Sequence, residues 1–245
     1  MKAYKLVRKL KSGKMTPLFI NKSQGLELNK WYHIAATYDG TDAYLYIDGI
    51  QVATGTAAAP SYSTEKFLIG ATYDSDTPTA PKNHFDGYID EVRIWDTALT
   101  ETQLHEMMNQ RIEENATTNN VKGQIIPLDI SEPLPWSNLK GYYPFNNGYT
   151  ALDQSGNNNH GIVYNMTSNQ PATAPLPYVS SASGDWDTSS TWLNGDVQNL
   201  PNSIRSSGSP PSPPVPVDWN IVKISTGTNV DLNRGDGNGI TLLGL

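Results

Sequence analysis

Through the clearest part of the chain, hydrophobic and polar positions alternate with a period of two. Trp31–Tyr38 is rich in aromatic and β-branched residues and stops at Asp39-Gly40. Ala43–Ile47 comes next, stops at Asp48-Gly49 and gives way to Ile50–Ala53. Aspartate-glycine pairs between such runs are hairpin signals, because glycine takes a positive φ without cost. Ala43, Leu45 and Ile47 share one face of the middle run and Tyr44 and Tyr46 the other, which predicts a half-buried antiparallel meander. Lys66–Gly70 and Tyr88–Trp95 read as further strands, with a polar loop at 74–83 between them. One segment changes period. Leu104, Met107, Met108 and Ile112 fall on one helical stripe behind a Thr100/Gln103 capping box, so the pattern predicts a helix over 101–113.

Downstream the pattern thins. Residues 114–138 read as a polar, proline-punctuated connection with an apolar island at 124–130. Strand character resumes at 139–145 and 160–164, separated by the turn-rich Asp153–Gly161. Residues 168–178 read as an extended tether. A compositionally new region opens at Gly184–Trp192, passes through a proline- and serine-rich stretch at 201–216, and ends with predicted strands at 219–225 and 240–243. One helix among many short strands with Gly, Asp and Asn turns is the signature of an all-β sandwich.

Charge and composition narrow the partners. The chain of 245 residues has a net charge of −7. Residues 1–30 carry +7 (8 basic, 1 acidic) and the remainder −14 (9 basic, 23 acidic). A body this acidic repels phosphate backbones, so nucleic acid is not an expected partner. The basic start reads as outward positions of one or two strands. There is no cysteine, which removes disulfides, thiolate metal sites and a thiol nucleophile. No apolar run approaches the ~20 residues of a spanning helix, so membrane insertion is not expected. The lysines at the start lack the apolar core of a signal peptide. Together with the strand-like ending at 236–245, this leads to the expectation of a piece of a longer exported chain.

Several motifs come in order: Trp31–Gly40, Leu45–Gly49, Phe67–Gly70, Phe85–Trp95 and Ala98-Leu99-Thr100. Together they resemble the laminin-G-like jelly-roll domain, related in fold to concanavalin A, pentraxins and laminarinase-type glucanases, over about residues 25–112. Gly141–Phe145 with Asp153–Asn157 and His160-Gly161 is similar to a segment found after such domains in large bacterial surface proteins. Asp185–Trp192 with Asp218–Leu245 is similar to the next region of exported proteins of the Bacteroidetes gliding and adhesin type, the substrates of type 9 secretion. The expected fold is therefore an antiparallel jelly-roll β-sandwich with one short helix, followed by part of a second β-rich region. Its expected boundaries are 1–112 for the jelly roll, 113–138 for a linker or insertion, 139–180 for strands completing or following it, and 181–245 for the second region. The family's aromatic and acidic opening segment has no counterpart before residue 31.

Catalysis finds little support in the residues. Hydrolysis on this fold needs two carboxylates facing across a groove. The Glu-x-Asp-x-Glu pattern of the glucanases does not occur, Glu113 and Glu114 sit adjacent at the predicted helix end, and Asp90 and Glu91 fall on opposite faces of one predicted strand. The four histidines (His33, His84, His105, His160) have no triad partners by spacing, and there is no phosphate-binding loop. The resemblance implies structural calcium held by Asp90; the plainer reading is that Asp90 caps a turn or pairs with Arg93. Residues 231–238 are oxygen-rich but miss the calcium-loop register, and Arg234-Gly235-Asp236 is a chance tripeptide. Tyr44, Tyr46, Tyr62 and Tyr73 form a candidate platform for stacking on sugars, against the alternative that they stabilise the sheet as cross-strand pairs. The expected protein is a non-enzymatic module of the bacterial cell surface, serving adhesion or glycan recognition. Its expected partners are glycans or other surface polymers and the export machinery of its parent. The rivals are an accessory domain of a secreted polysaccharide-degrading enzyme, a structural spacer, and an export substrate caught in its secretion machine.

Overall fold

The computed structural model describes residues 31–57, 66–73, 81–146, 150–164, 174–186, 188–193 and 218–232. Strands β1 (Ile34–Tyr38), β2 (Asp42–Ile47) and β3 (Ile50–Thr56) form the antiparallel meander, in the order β1-β2-β3. Its second turn has both central residues at positive φ, Asp48 at 51° and Gly49 at 78°, the geometry that matches the twist of a two-residue hairpin. Asp48 also accepts the His33 backbone N–H at 2.9 Å, locking the chain before β1 to the turn. At the first turn, Asp39 Oδ1 accepts from the backbone N–H groups of Thr41 and Asp42, each at 2.8 Å.

The two-residue strands β4 (Thr72–Tyr73) and β5 (Pro81–Lys82) pair with each other. Strand β6 (Val92–Trp95) begins four residues later than the pattern predicts, because Glu91 turns to φ 52° just before it. Helix α1 (Glu101–Met108) carries the expected capping box: Thr100 Oγ1 accepts from Gln103 N, and Gln103 Oε1 accepts from Thr100 N. The helix stops at Met108 and not at 113. Arg93 reaches across from β6 and donates to the carbonyls of Met107 at 2.9 Å, in the last turn, and Gln110 at 2.7 Å, just beyond it. Ile112 is buried as predicted, but from strand β7 (Ile112–Glu114), which pairs with β8 (Val121–Gly123).

Strand β9 (Leu139–Tyr143) pairs antiparallel with β6, placing Arg93 opposite Tyr142. The main core gathers Tyr46, Leu99, Leu104, Met107, Ile112, Val121, Leu139 and Tyr142. Inside it lies a polar knot. Glu91 accepts from Arg93 Nη2 at 2.8 Å and from the Tyr142 hydroxyl at 2.7 Å, with both ionic side chains nearly enclosed. Burial holds the Tyr142 phenol far above its ordinary range.

Strand β10 (Tyr178–Ser180), expected with the preceding segment, leads into the second region, expected from residue 181, which holds β11 (Gly184–Asp185), β12 (Trp192–Leu193), β13 (Val222–Lys223) and β14 (Val230–Asp231); β10 pairs with β12 and β13. Two of its pairings, β10–β13 and β11–β14, are parallel. The expected strand at 219–225 is thus only two residues long. The expected strands at 66–70 and 160–164 do not form; the latter contributes one bridge, Ala151 to Gly161. The expected strand at 240–243 lies outside the described residues. Trp186 and Trp192 pack edge to face at 5.1 Å in a second core with Tyr178 and Val222, and Trp31 from the first region packs against it. The fold class is as expected: mainly strand, antiparallel in its main sheets, with one helix among the described residues.

Two consequences are measurable. Arg93→Met takes the closer of two guanidinium partners from the buried Glu91 carboxylate, leaving Arg111 at 3.4 Å, and removes a donor from the helix end. It should cost about 3–5 kcal/mol in denaturant unfolding, with faster hydrogen exchange at 107–111; a loss below about 1 kcal/mol would remove the knot from its structural role. His33 is the second case. Burial, followed by the charges of Arg93 and His105, lowers its pKa from 6.5 to about 4. The unfolded chain therefore takes up a proton that the native chain refuses between those values, and stability falls as pH drops from 6.5 towards 4. The loss has an upper bound of about 3 kcal/mol, since part of the residue still touches water. Thermal melts across that window should slope in the wild type and flatten in His33→Gln; equal slopes would refute the assignment.

Candidate functional site

The loop after β9 is built around one carboxylate. Asp153 Oδ1 accepts the backbone N–H groups of Tyr142 and Ser155, each at 2.9 Å, and Oδ2 accepts that of Asn159 at 2.9 Å. Burial works to raise the Asp153 pKa, but hydrogen bonds from Ser155, Tyr142 and Asn159 outweigh it and hold the group below its ordinary value. The asparagine run does the rest. Asn157 Nδ2 donates to the Leu139 carbonyl at 2.8 Å, Asn159 Nδ2 donates to that of Lys140 at 2.9 Å, and Asn158 takes a φ of 59°. Asparagine tolerates that region because its short amide bonds locally. The loop is therefore riveted to β9.

Facing it across an open groove is the β7–β8 hairpin. The groove has a volume of about 660 Å³ and is lined by Glu113, Glu114 and Gln124 on one side, by Gln154 and Asn157 on the other, and by Trp136 between them. Trp136 opens a 3-10 turn, packs against the main core and donates its indole N–H to the Ser155 carbonyl at 3.0 Å. Glu113 pairs with Lys122 at 3.0 Å, and Lys140 with Asp96 at 2.8 Å. The hairpin is stiffened from behind. Buried Gln110 accepts from the backbone N–H groups of Ile125 and Ile126 and donates to the Glu106 carbonyl. Asp129 joins Asn115, Thr118 and Asn120 across its turn, and those side-chain hydrogen bonds hold its pKa low.

The sites expected from sequence are not here. Asp90 accepts the backbone N–H of Glu91 at 3.1 Å on one oxygen and that of Ala174 at 2.9 Å on the other. Burial raises its pKa, with the Glu91 charge adding to the effect. Arg93 pairs with Glu91 and not with Asp90. Calcium needs six to eight oxygens around it. The donor set at Asp90 does not fit that ion: both oxygens already face N–H donors, and no cluster of three or more acidic or histidine side chains occurs among the described residues.

The tyrosine platform is also corrected. Tyr46 is 6% exposed and belongs to the main core, because the face expected to point outward is covered. Tyr44 packs beside that core and donates its hydroxyl to Asp39 at 3.1 Å. Tyr73 lies in β4. Tyr62 and the Arg234–Asp236 tripeptide lie outside the described residues, as does most of 231–238. Glu113 and Glu114, expected at a helix end, are strand residues on the groove. The sequence pattern does not single out Trp136, Gln124, Gln154 and Asn157, which no short-range spacing links. The one available signal is Asp153 two residues before Ser155, the spacing of an Asx turn.

Residues 3–105 match the concanavalin A-like lectin/glucanases superfamily. The groove residues lie beyond that match. A solved S-layer domain-containing protein from Clostridium thermocellum ATCC 27405 is similar at 31% identity, over 37% of this chain and 45% of that one, with a TM-score of 0.28. The chain thus spans less than half of that structure's length. Among curated proteins nothing matches. No helix among the described residues is long and apolar enough to cross a membrane.

Asp153→Ala removes the acceptor of three backbone N–H groups. It should cost about 2–4 kcal/mol and speed hydrogen exchange selectively at 154–159. Uniform exchange with unchanged stability would show that the loop does not depend on this carboxylate.

Proposed function

We propose that this chain is a non-catalytic extracellular module that holds a glycan or related surface polymer, and that the 112–157 groove is where it does so. One observation carries the reading: an open, pre-built groove combines a tryptophan wall with side-chain amides and carboxylates. An aromatic ring offers an apolar face to the C–H side of a sugar, while amides and carboxylates bond its hydroxyls. The rigid loop and hairpin reduce the ordering cost of binding. The match of residues 3–105 to a superfamily of lectins and glucanases supports the carbohydrate reading.

The carboxylates favour holding over cleaving. Glu91, the enclosed one, is shut in by Arg93 and Tyr142. Glu113 is engaged by Lys122. Glu113 and Glu114 are neighbours on one edge of the groove, not a pair facing across a bond.

The test is a glycan array on the folded protein, followed by calorimetry on the hits. Gln154→Ala should weaken binding about tenfold, the worth of one or two lost hydrogen bonds, with an unchanged melting temperature. Absence of binding at millimolar sugar would leave a structural spacer as the better account. New reducing ends released from a bound polysaccharide would make the protein an enzyme.

A further inference from the structure

Resting on that reading, we infer that the groove selects its glycan by donor chemistry: it takes amine-bearing sugar polymers and refuses uronate or sulfate ones, with Glu114 as the residue that meets the amine. Most of the groove's hydrogen-bond donors are spent inside the protein, the exposed Gln154 amide excepted. The Trp136 indole N–H goes to the Ser155 carbonyl, and the Tyr142 hydroxyl goes to Glu91. Asn157 Nδ2 goes to the Leu139 carbonyl and Ser155 Oγ. Gln124 Nε2 faces Glu113 at 3.4 Å. The Lys140 ammonium lies 2.6 Å from the Ser137 carbonyl and 2.8 Å from Asp96.

The polar atoms left facing the groove are mostly acceptors. The amide oxygens of Asn157 and Gln124 have no hydrogen atom to give. Glu114 is exposed, lines the groove, and its carboxylate has no ion pair or hydrogen bond among the described residues. Its neighbours' charges are settled locally, Glu113 with Lys122 and Lys140 with Asp96. One uncompensated negative charge is left in a groove that offers more acceptors than free donors. A protonated sugar amine has three to give, and a neutral sugar has hydroxyls. A carboxylate or sulfate has none and brings a like charge, in a chain already at −7.

The experiment compares three oligosaccharides of equal length by calorimetry, in low-salt, mildly acidic buffer that keeps the amine protonated. They are a β-1,4-glucosamine oligomer, its fully N-acetylated form and oligogalacturonate. The glucosamine oligomer should bind about tenfold more tightly than the acetylated one, losing that advantage in high salt, and oligogalacturonate should not bind. Glu114→Gln should bring the affinity ratio close to one. Asp86→Asn, an exposed charge removed outside the groove, should leave the ratio in place and so separate local from global charge. Equal binding of the amine and acetylated forms, binding of oligogalacturonate, or a preference surviving Glu114→Gln would overturn the inference while leaving glycan recognition standing. If no sugar binds, both fall. Binding of oligolysine without any sugar would replace the glycan by a basic peptide and overturn the inference as well.

Discussion

Arg93 holds the structure together at the point where its main elements meet. Its guanidinium sits opposite Tyr142 across the β6–β9 ladder, pairs with Glu91, and closes the carbonyl end of helix α1. A helix end buried without partners for its carbonyls would be costly. Here one planar fork meets one of them, Met107, and the Gln110 carbonyl just past the helix, while its charge complements the negative end of the helix dipole. Because the helix ends there, the chain can straighten into β7. With β7 in place the hairpin can form one wall of the groove, and with β9 held against β6 the Asp153 loop has a strand on which to fasten. The backbone turn at Glu91, at a φ few glutamates adopt, is compensated by the two groups its carboxylate receives.

The two β regions are joined by aromatic contacts. Trp31 packs into the core of the second region. Trp219 from that region stacks on His105 of the helix at 3.7 Å, the rings within 3° of parallel. His105 Nε2 lies 2.8 Å from the Gly49 carbonyl. Gly49 therefore meets two demands. It needs the positive φ of its turn, and a Cβ there would lie 2.7 Å from both His105 and Trp219. The hairpin tip, the helix and the second region share a single contact point. Asp90 adds a second tie through Ala174.

Hydrogen bonds inside the groove's walls decide which polar atoms it presents. Each donor consumed in bracing the walls is a donor withdrawn from recognition. The same bonds that brace the groove leave it with more acceptors than free donors.

Local chemistry is legible in the residues alone. The runs of the β1–β3 meander, the Asp48-Gly49 turn and the Thr100/Gln103 box each depend on neighbours within a few positions, and each forms where the pattern places it. The fold class comes out of them. Features that depend on distant partners are not legible. The helix's periodicity continues to Ile112, but Arg93 stops it at Met108, and nothing in residues 101–113 encodes an arginine arriving from another strand. Tyr46 alternates as an outward residue should, yet the helix and its following strands cover that face, so it is core. Asp90 looks like a free ligand until residue 174 comes alongside it. The groove combines a hairpin at 112–124 with a loop at 153–157 and a tryptophan between them. Only the tertiary fold brings those segments within reach of one ligand, because hydrogen bonds between residues tens of positions apart have no period along the chain.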